Sequence, residues 1–170
     1  MAFSRECEYA IRGMAALAEA VDGRPRVVSE IAAGERLPLS FLSKIIQKLH
    51  KHGLVISCRG VERGYALARE ARTISLRAIL EATEGPGLFT RCVFAHHRCG
   101  EDHPCLVHPA WQVVRDQVQA AFEEITLHDL VKIRCAAGSN VLRGPTGTTR
   151  SASGAATQPG PRARPRKRGA

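Results

Sequence analysis

Four residues of types that commonly bind metals lie close together in the middle of the chain. Cys92, Cys99, Cys105 and His108 follow one another at the spacing C-x6-C-x5-C-x2-H. Thiolates hold zinc or iron–sulfur clusters, and one imidazole can complete a set of four ligands. Gaps of six and five residues are wider than the close pairs of a zinc knuckle and suit a larger cluster in a loop. Inert buried cysteines, a zinc site and a metal-free thiol switch remain as alternatives.

The other cysteines and the N-terminus help to define the setting of this cysteine segment. Cys7, Cys58 and Cys135 stand alone in predicted helices or strands, so we assign them structural roles. Charged residues interrupt the N-terminus, and the chain has no apolar run of about 18 residues that would span a membrane. We therefore expect a soluble, cytoplasmic protein with no membrane partner, in which clustered cysteines bind a metal or act in redox chemistry.

The spacing of apolar residues predicts three helices in the first third of the chain. The first covers residues 7–21. The second covers 27–33, with Ser29 as a candidate N-cap and a break around Gly34. The third covers 41–52, and its buried stripe is predicted to be Leu42, Ile45, Ile46 and Leu49.

The third helix and the segment after it have the features of a DNA-binding unit. Gly53 ends the helix, residues 54–58 and 65–68 are predicted strands, and residues 59–64 form the turn between them. Two short helices followed by such a hairpin predict a winged helix-turn-helix that binds double-stranded DNA. Its candidate DNA-binding residues share the polar face of the third helix or the tip of the hairpin: Ser40, Ser43, Lys44, Gln47, Lys48, Arg59 and Arg63.

The distribution of charge agrees with this prediction. Residues 24–77 contain 11 basic and four acidic residues, which is typical of a phosphate-binding face, although many solvated surfaces look similar. Residues 143–170 contain seven basic residues, no acidic residue and no large apolar residue, so we expect a disordered basic tail.

The remaining elements predict how the chain associates. A helix over 75–84 is followed by residues 88–107, which lack a regular period and contain the cysteines. Pro109 then begins a helix whose apolar stripe suits a partner helix in a homodimer; packing within one chain is the alternative. The stripe consists of Trp111, Val114, Val118, Ala121, Phe122 and Ile125.

The predicted fold is mainly α, with a small β-hairpin wing and a long dimerisation helix. We divide it into a winged helix-turn-helix (1–85), a cysteine segment (86–108), the dimerisation and C-terminal helices (109–142) and the basic tail (143–170).

Several motifs together resemble the Rrf2 family of bacterial winged-helix regulators. They are SEIA at 29–32, LSFLSKIIQKLHKHGLV at 39–55, RGVERGY at 59–65 and the three cysteines before a dimer helix. The resemblance implies that Cys92, Cys99 and Cys105 bind an iron–sulfur cluster, with a two-iron form expected over a four-iron form. The resemblance offers two candidates for the fourth ligand, His108 and the Glu8 of the other protomer.

The resemblance also implies a function. We expect a homodimeric regulator, acting as a repressor on two-fold operator DNA, that responds to nitric oxide, redox state or iron supply. No Ser/His/Asp set or pair of carboxylates suggests an enzyme, and we expect no small-molecule substrate. The alternatives are a zinc-stabilised or thiol-switch DNA-binding regulator and an iron–sulfur electron-transfer protein, although the latter would not need the basic helix and wing.

Overall fold

The computed structural model describes residues 3–20, 23–92, 94 and 100–136. In chain order, this part contains α1 (Arg5–Ala18), α2 (Val28–Glu35), α3 (Leu39–Lys51), β1 (Val55–Cys58), β2 (Gly64–Leu67), α4 (Leu76–Glu84), α5 (His108–Glu124) and α6 (Leu127–Ala136). The predicted mainly helical fold with one hairpin is confirmed. Cys99, the end of the first predicted helix at residue 21 and the basic tail lie outside the described residues.

Helix α1 lies at the centre of the helical domain and packs against α2, α3, α4 and α6. Ser4 caps it by accepting a hydrogen bond from the backbone N–H of Cys7, so the helix begins two residues before the predicted start. Its inner face joins a core that also contains the predicted stripe of α3: Leu42, Ile45, Ile46 and Leu49 are each at most 1% exposed.

Helices α2 and α3 form the helix-turn-helix. Arg36 makes the turn in the left-handed region, at φ 54°, and the Leu37 N–H donates to the Ala32 carbonyl at 2.8 Å. Ser29 does not cap α2 as expected, because the helix begins at Val28 and places Ser29 inside its first turn. The helix continues through Gly34 and ends at Glu35, one residue beyond the predicted break.

The end of α3 leads directly into the hairpin. Gly53 lies in the left-handed region, with a φ of 68°. Its N–H donates to the His50 carbonyl, and the Leu54 N–H donates to the Leu49 carbonyl, which together make a Schellman cap. β1 and β2 then pair antiparallel, with Cys58 opposite Gly64.

Helices α4 and α5 enclose a second, smaller core. Ser75 caps α4 by accepting from the Ala78 N–H, and α5 begins next to Pro109 as predicted. Cys7, Leu76, Leu80 and Phe89 form the buried part of this core, against which Val118, Phe122 and Ile125 pack. Part of the stripe predicted for the dimer interface is therefore used within the single chain.

Candidate DNA-binding surface and cysteine segment

Most of the predicted DNA-binding side chains on the outer face of α3 are exposed to solvent. Ser40, Lys44 and Gln47 are exposed on the side opposite the buried stripe. Ser43 is half-buried, and its hydroxyl donates to the Leu39 carbonyl at 2.8 Å. Ser43 can therefore offer its oxygen as an acceptor while its hydrogen is engaged.

Lys48 on α3 contacts the protein itself. Its ammonium nitrogen lies 2.5 Å from a carboxylate oxygen of Glu6 and 3.5 Å from the Thr83 carbonyl oxygen. Lys48 thus links α3 to the start of α1 and the end of α4. The sequence pattern of α3 places Lys48 on the polar side but carries no information about these partners.

The hairpin presents its predicted arginines at an exposed tip. Arg59 and Arg63 are both exposed, and Gly60 between them has a φ of 102°, a conformation that favours glycine. Arg26 and Tyr65 hold β2 close to the turn of the hairpin by exchanging two backbone hydrogen bonds of 2.9 Å. A β-carbon on Gly64 would lie 2.6 Å from the Arg26 carbonyl oxygen, so this close approach requires glycine.

The hairpin is also held to α3. A ring nitrogen of His50, Nδ1, lies 2.9 Å from the Val55 carbonyl oxygen, and the His50 ring meets the Tyr65 ring edge-on at 6.4 Å between centroids. The tip arginines and the outer face of α3 are therefore carried by one connected unit.

Two of the three predicted cluster ligands lie side by side. The sulfurs of Cys92 and Cys105 are 3.9 Å apart, and both residues are half-buried. Two sulfurs on one tetrahedral metal with bonds of about 2.3 Å are separated by about 3.8 Å. The pair thus has the separation needed to bind one metal ion.

The remaining ligands of the predicted set are not brought to this pair in the described part of the chain. Cys99 lies outside it, and no three His, Cys, Asp or Glu side chains among residues 3–20, 23–92, 94 and 100–136 are grouped to hold an ion. His108 begins α5, and its backbone N–H donates to the Cys105 carbonyl at 2.9 Å. The Glu8 carboxylate instead pairs with Arg12 at 3.2 Å.

Trp111 holds the two ends of the cysteine segment together. Its indole N–H donates to the Arg91 carbonyl at 3.0 Å, and its backbone N–H donates to the Val107 carbonyl. The residue before Cys92 is thereby attached to the first turn of α5. The sequence assigned Trp111 only to an apolar stripe; a lone tryptophan just after a cysteine segment was the one available signal.

Cys7 is buried away from this pair and has different chemistry. Its thiol donates to a Glu84 carboxylate oxygen at 3.2 Å and lies 3.1 Å from the Thr83 hydroxyl. Burial raises the pKa of the Cys7 thiol, which disfavours the reactive thiolate. A structural role fits Cys7, whereas Cys135 is exposed on α6 and adds little to packing.

A buried network of ion pairs joins α6 to the helix-turn-helix. Glu35 at the end of α2 accepts from Arg12 at 3.3 Å and from Arg134 at 2.5 Å. Arg134 also pairs with Glu19 at 3.1 Å. Nothing in the spacing of the sequence indicated this network, because Glu35 and Arg134 are 99 residues apart.

The chain has a helix-turn-helix, a hairpin directly after the second helix, and the packed helices α4, α5 and α6. These features define a winged helix-turn-helix protein. The chain belongs to the Rrf2 family, described as iron-dependent transcriptional regulators, whose sequence profile matches residues 3–133. It is 36% identical over 135 residues to an HTH-type transcriptional regulator of Aquifex aeolicus, covering 78% of this chain and 93% of that protein.

Solved structures agree with this assignment. The global cysteine regulator CymR of B. subtilis superposes with a TM-score of 0.65 at 27% identity, over 78% of this chain and 98% of that one. IscR of T. potens superposes with a TM-score of 0.63 at 27% identity, over 81% of this chain and 90% of that one. Within the described part of the chain, none of the helices is both long and apolar enough to cross a membrane.

Proposed function

We propose that the chain represses transcription as a homodimer by binding a two-fold operator through α3 and the hairpin. The outer face of α3 would enter the major groove, where Gln47 and Lys44 reach base edges and Ser40 contacts phosphate. Arg59 and Arg63 would enter the neighbouring minor groove. The observation that carries this proposal is the single connected unit formed by α3 and the hairpin, with its polar and basic side exposed.

Ser43 and Lys48 have smaller parts in this proposal. Ser43 offers only an acceptor, because its hydroxyl hydrogen is engaged by Leu39. Lys48 would reach phosphate only by leaving Glu6, so we expect it to contribute less to DNA affinity than Lys44 does.

Helix α5 supports the proposed dimer. None of its 17 residues is buried within the single chain, and Val113 and Val114 are 58% and 48% exposed. Apolar residues on the exposed side of α5 fit a second copy of that helix. Two-fold pairing would set the two copies of α3 about 34 Å apart, one turn of the DNA helix.

We further propose that the cysteine segment binds an iron–sulfur cluster, with a two-iron form expected over a four-iron form. The separation of the Cys92 and Cys105 sulfurs suits two ligands of one metal ion. Cys99 would supply the third thiolate. His108 at the start of α5 is our first choice for the fourth ligand, and the partner's copy of Glu8 is the second, although Glu8 would first have to separate from Arg12.

The cluster would supply sensitivity to nitric oxide, oxidants or iron supply, whereas the chain's residues would convert its presence into a change of shape. Trp111 already joins the segment to α5. Ligation of Cys92 and Cys105 would fix both ends of the segment and thereby the angle of α5, on which the spacing of the two α3 helices depends.

The same sulfur pair supports a second function, a thiol switch without a metal. Sulfurs 3.9 Å apart need to move about 2 Å to form a disulfide. Hydrogen peroxide would oxidise the two thiols to the disulfide and be reduced to two molecules of water. A zinc ion would fit the pair equally well on distance alone.

Purification of the full chain without oxygen separates these possibilities. We expect brown protein with iron and sulfide in equal amounts, and loss of colour in Cys92→Ala, Cys99→Ala and Cys105→Ala. Cys58→Ala is the matched control and should stay brown. Colourless protein with zinc, or full iron content in all three variants, would refute the cluster. His108→Ala and Glu8→Ala, compared for cluster stability, then identify the fourth ligand.

DNA binding is tested separately on the same protein. A winged helix-turn-helix in the proposed orientation should select a two-fold sequence from random DNA. Arg59→Ala should weaken binding to it about fivefold or more and reduce the dependence on salt. Unchanged affinity and salt dependence would remove the hairpin from the DNA-binding surface.

A further inference from the structure

Two large apolar side chains at the start of α3 are exposed, one on each side of its polar face. Phe41 is 62% exposed and Leu39 is 48% exposed, whereas Leu42 next to them is completely buried. Neither belongs to either buried cluster of the described residues. The polar contacts proposed above give no reason for an aromatic ring in this position.

The position of these residues places them at the leading end of α3. They flank Ser40 in the first turn, and side chains on an α-helix lean toward its N-terminus. In a helix-turn-helix, residues at the N-terminal end of the second helix contact base edges. Phe41 thus adjoins Lys44, one turn further along the same helix, whereas Leu39 lies on the other flank of Ser40, beside Val28 and Tyr65.

The chemistry of the major groove limits what such side chains can recognise. Phenylalanine and leucine neither donate nor accept hydrogen bonds with their side chains, so they cannot pair with the polar edges of guanine, adenine or cytosine. Thymine is the one base that presents an apolar group there, its C5-methyl. A protein partner is a poorer match, because Lys44 beside Phe41 and Arg59 and Arg63 on the hairpin favour a polyanion.

We propose that Phe41 reads thymine methyl groups and makes this chain prefer thymine at the operator positions nearest the start of α3. The proposal rests on the proposed function, since it requires α3 to lie in the major groove. Phe41 is then a specificity-determining residue in addition to Lys44 and Gln47.

Replacing thymine by deoxyuridine tests this contact directly. Deoxyuridine keeps the base pair and every hydrogen-bonding group and lacks only the methyl. An operator is first selected from random DNA with the full-length wild-type chain, and each thymine is then replaced one at a time. At one or two positions in each half-site we expect affinity to fall about fourfold, the value of one buried methyl.

Variants assign the effect to its residue. Phe41→Ala should bind thymine and deoxyuridine operators equally at the affected position, whereas Phe41→Leu should retain part of the difference. Val61→Ala removes a fully exposed apolar side chain from the tip of the hairpin, which faces the minor groove, where no thymine methyl lies. The Val61→Ala variant should keep the full difference in affinity between the thymine and deoxyuridine operators.

The outcomes separate this proposal from the one it rests on. A wild-type chain that selects no sequence would overturn the proposed DNA binding. A wild-type chain that selects an operator but does not distinguish deoxyuridine from thymine at any position would overturn only the role of Phe41. The same conclusion follows if Phe41→Ala keeps the full fourfold difference, or if Phe41→Ala alters only the oligomeric state.

Discussion

Glu35 offers the sharpest test of how the helix-turn-helix is held in place. Its side chain is 8% exposed and lies between two guanidinium groups, those of Arg12 and Arg134. The Glu35→Gln change keeps the shape of the side chain but removes its charge. It leaves no cavity, so any loss of stability reports on the ion pairs and not on packing.

The expected loss of stability in Glu35→Gln follows from the burial of its two arginine partners. Removing one member of a buried ion pair typically costs about 3 to 5 kcal/mol, because the remaining charge is left without compensation. Here the Arg12 and Arg134 side chains are 7% and 13% exposed, and each keeps a second carboxylate, Glu8 and Glu19 respectively. We therefore expect a loss of unfolding free energy at the lower end of this range, about 3 kcal/mol. Such a loss lowers Tm by on the order of 10 °C.

Urea unfolding followed by circular dichroism measures this change. Glu30→Gln is the matched control, since Glu30 lies on the same helix and is exposed; we expect a loss of about 0.5 kcal/mol there. A double-mutant cycle with Arg134→Met should show that part of the loss belongs to the pair with α6. If the free energy of unfolding of Glu35→Gln lies within about 0.5 kcal/mol of the control, the network does not fix α2, and the reasoning is wrong.

Four further variants test other parts of the structure. Gly64→Ala should lower the free energy of unfolding by about 2 kcal/mol, because its β-carbon would meet the Arg26 carbonyl. Gly34→Ala, with open space around it inside α2, should instead raise that free energy by about 0.5 kcal/mol, and unfolding curves that rank the two variants equally would contradict the close approach at the hairpin. Val114→Glu should give monomers in sedimentation without loss of helix, and an intact dimer would place the interface elsewhere. Because burial raises the pKa of Cys7, the unfolded thiol ionises first as pH rises, so the wild-type chain should lose stability relative to Cys7→Ala above about pH 8.5; parallel pH profiles would refute this.

The sequence predicted the elements whose signals are local. The stripe of α3 repeats at helical spacing, and Gly53 after it meets the requirement of a left-handed cap, so the end of this helix was predicted to within one residue, whereas its start at Leu39 lies two residues before the predicted one. Ser29 failed as a cap because the helix begins before it, at Val28, so that Ser29 already lies in the first turn.

The site was predictable as residue types but not as an arrangement. The spacing of Cys92 and Cys105 indicates ligands, whereas their separation depends on Trp111 reaching the Arg91 carbonyl. Likewise, the polar side of α3 was evident, but the attachment of Lys48 to Glu6 depends on how α1 packs. In both cases the missing information is a contact between residues far apart in the chain.

Lys48 and Thr83 explain how a change in the cysteine segment would reach the DNA-binding face. Thr83 lies in the last turn of α4, directly before the segment that leads to Cys92, and its carbonyl accepts from Lys48 on α3. At the opposite end of the segment, α5 continues into α6, whose Arg134 binds Glu35 at the end of α2. The helix-turn-helix is thus held by α4, which precedes the segment, and by α6, which follows α5. A shift in the segment need not cross the core to move α3, because α4 contacts α3 directly and α5 leads into α6, which contacts α2.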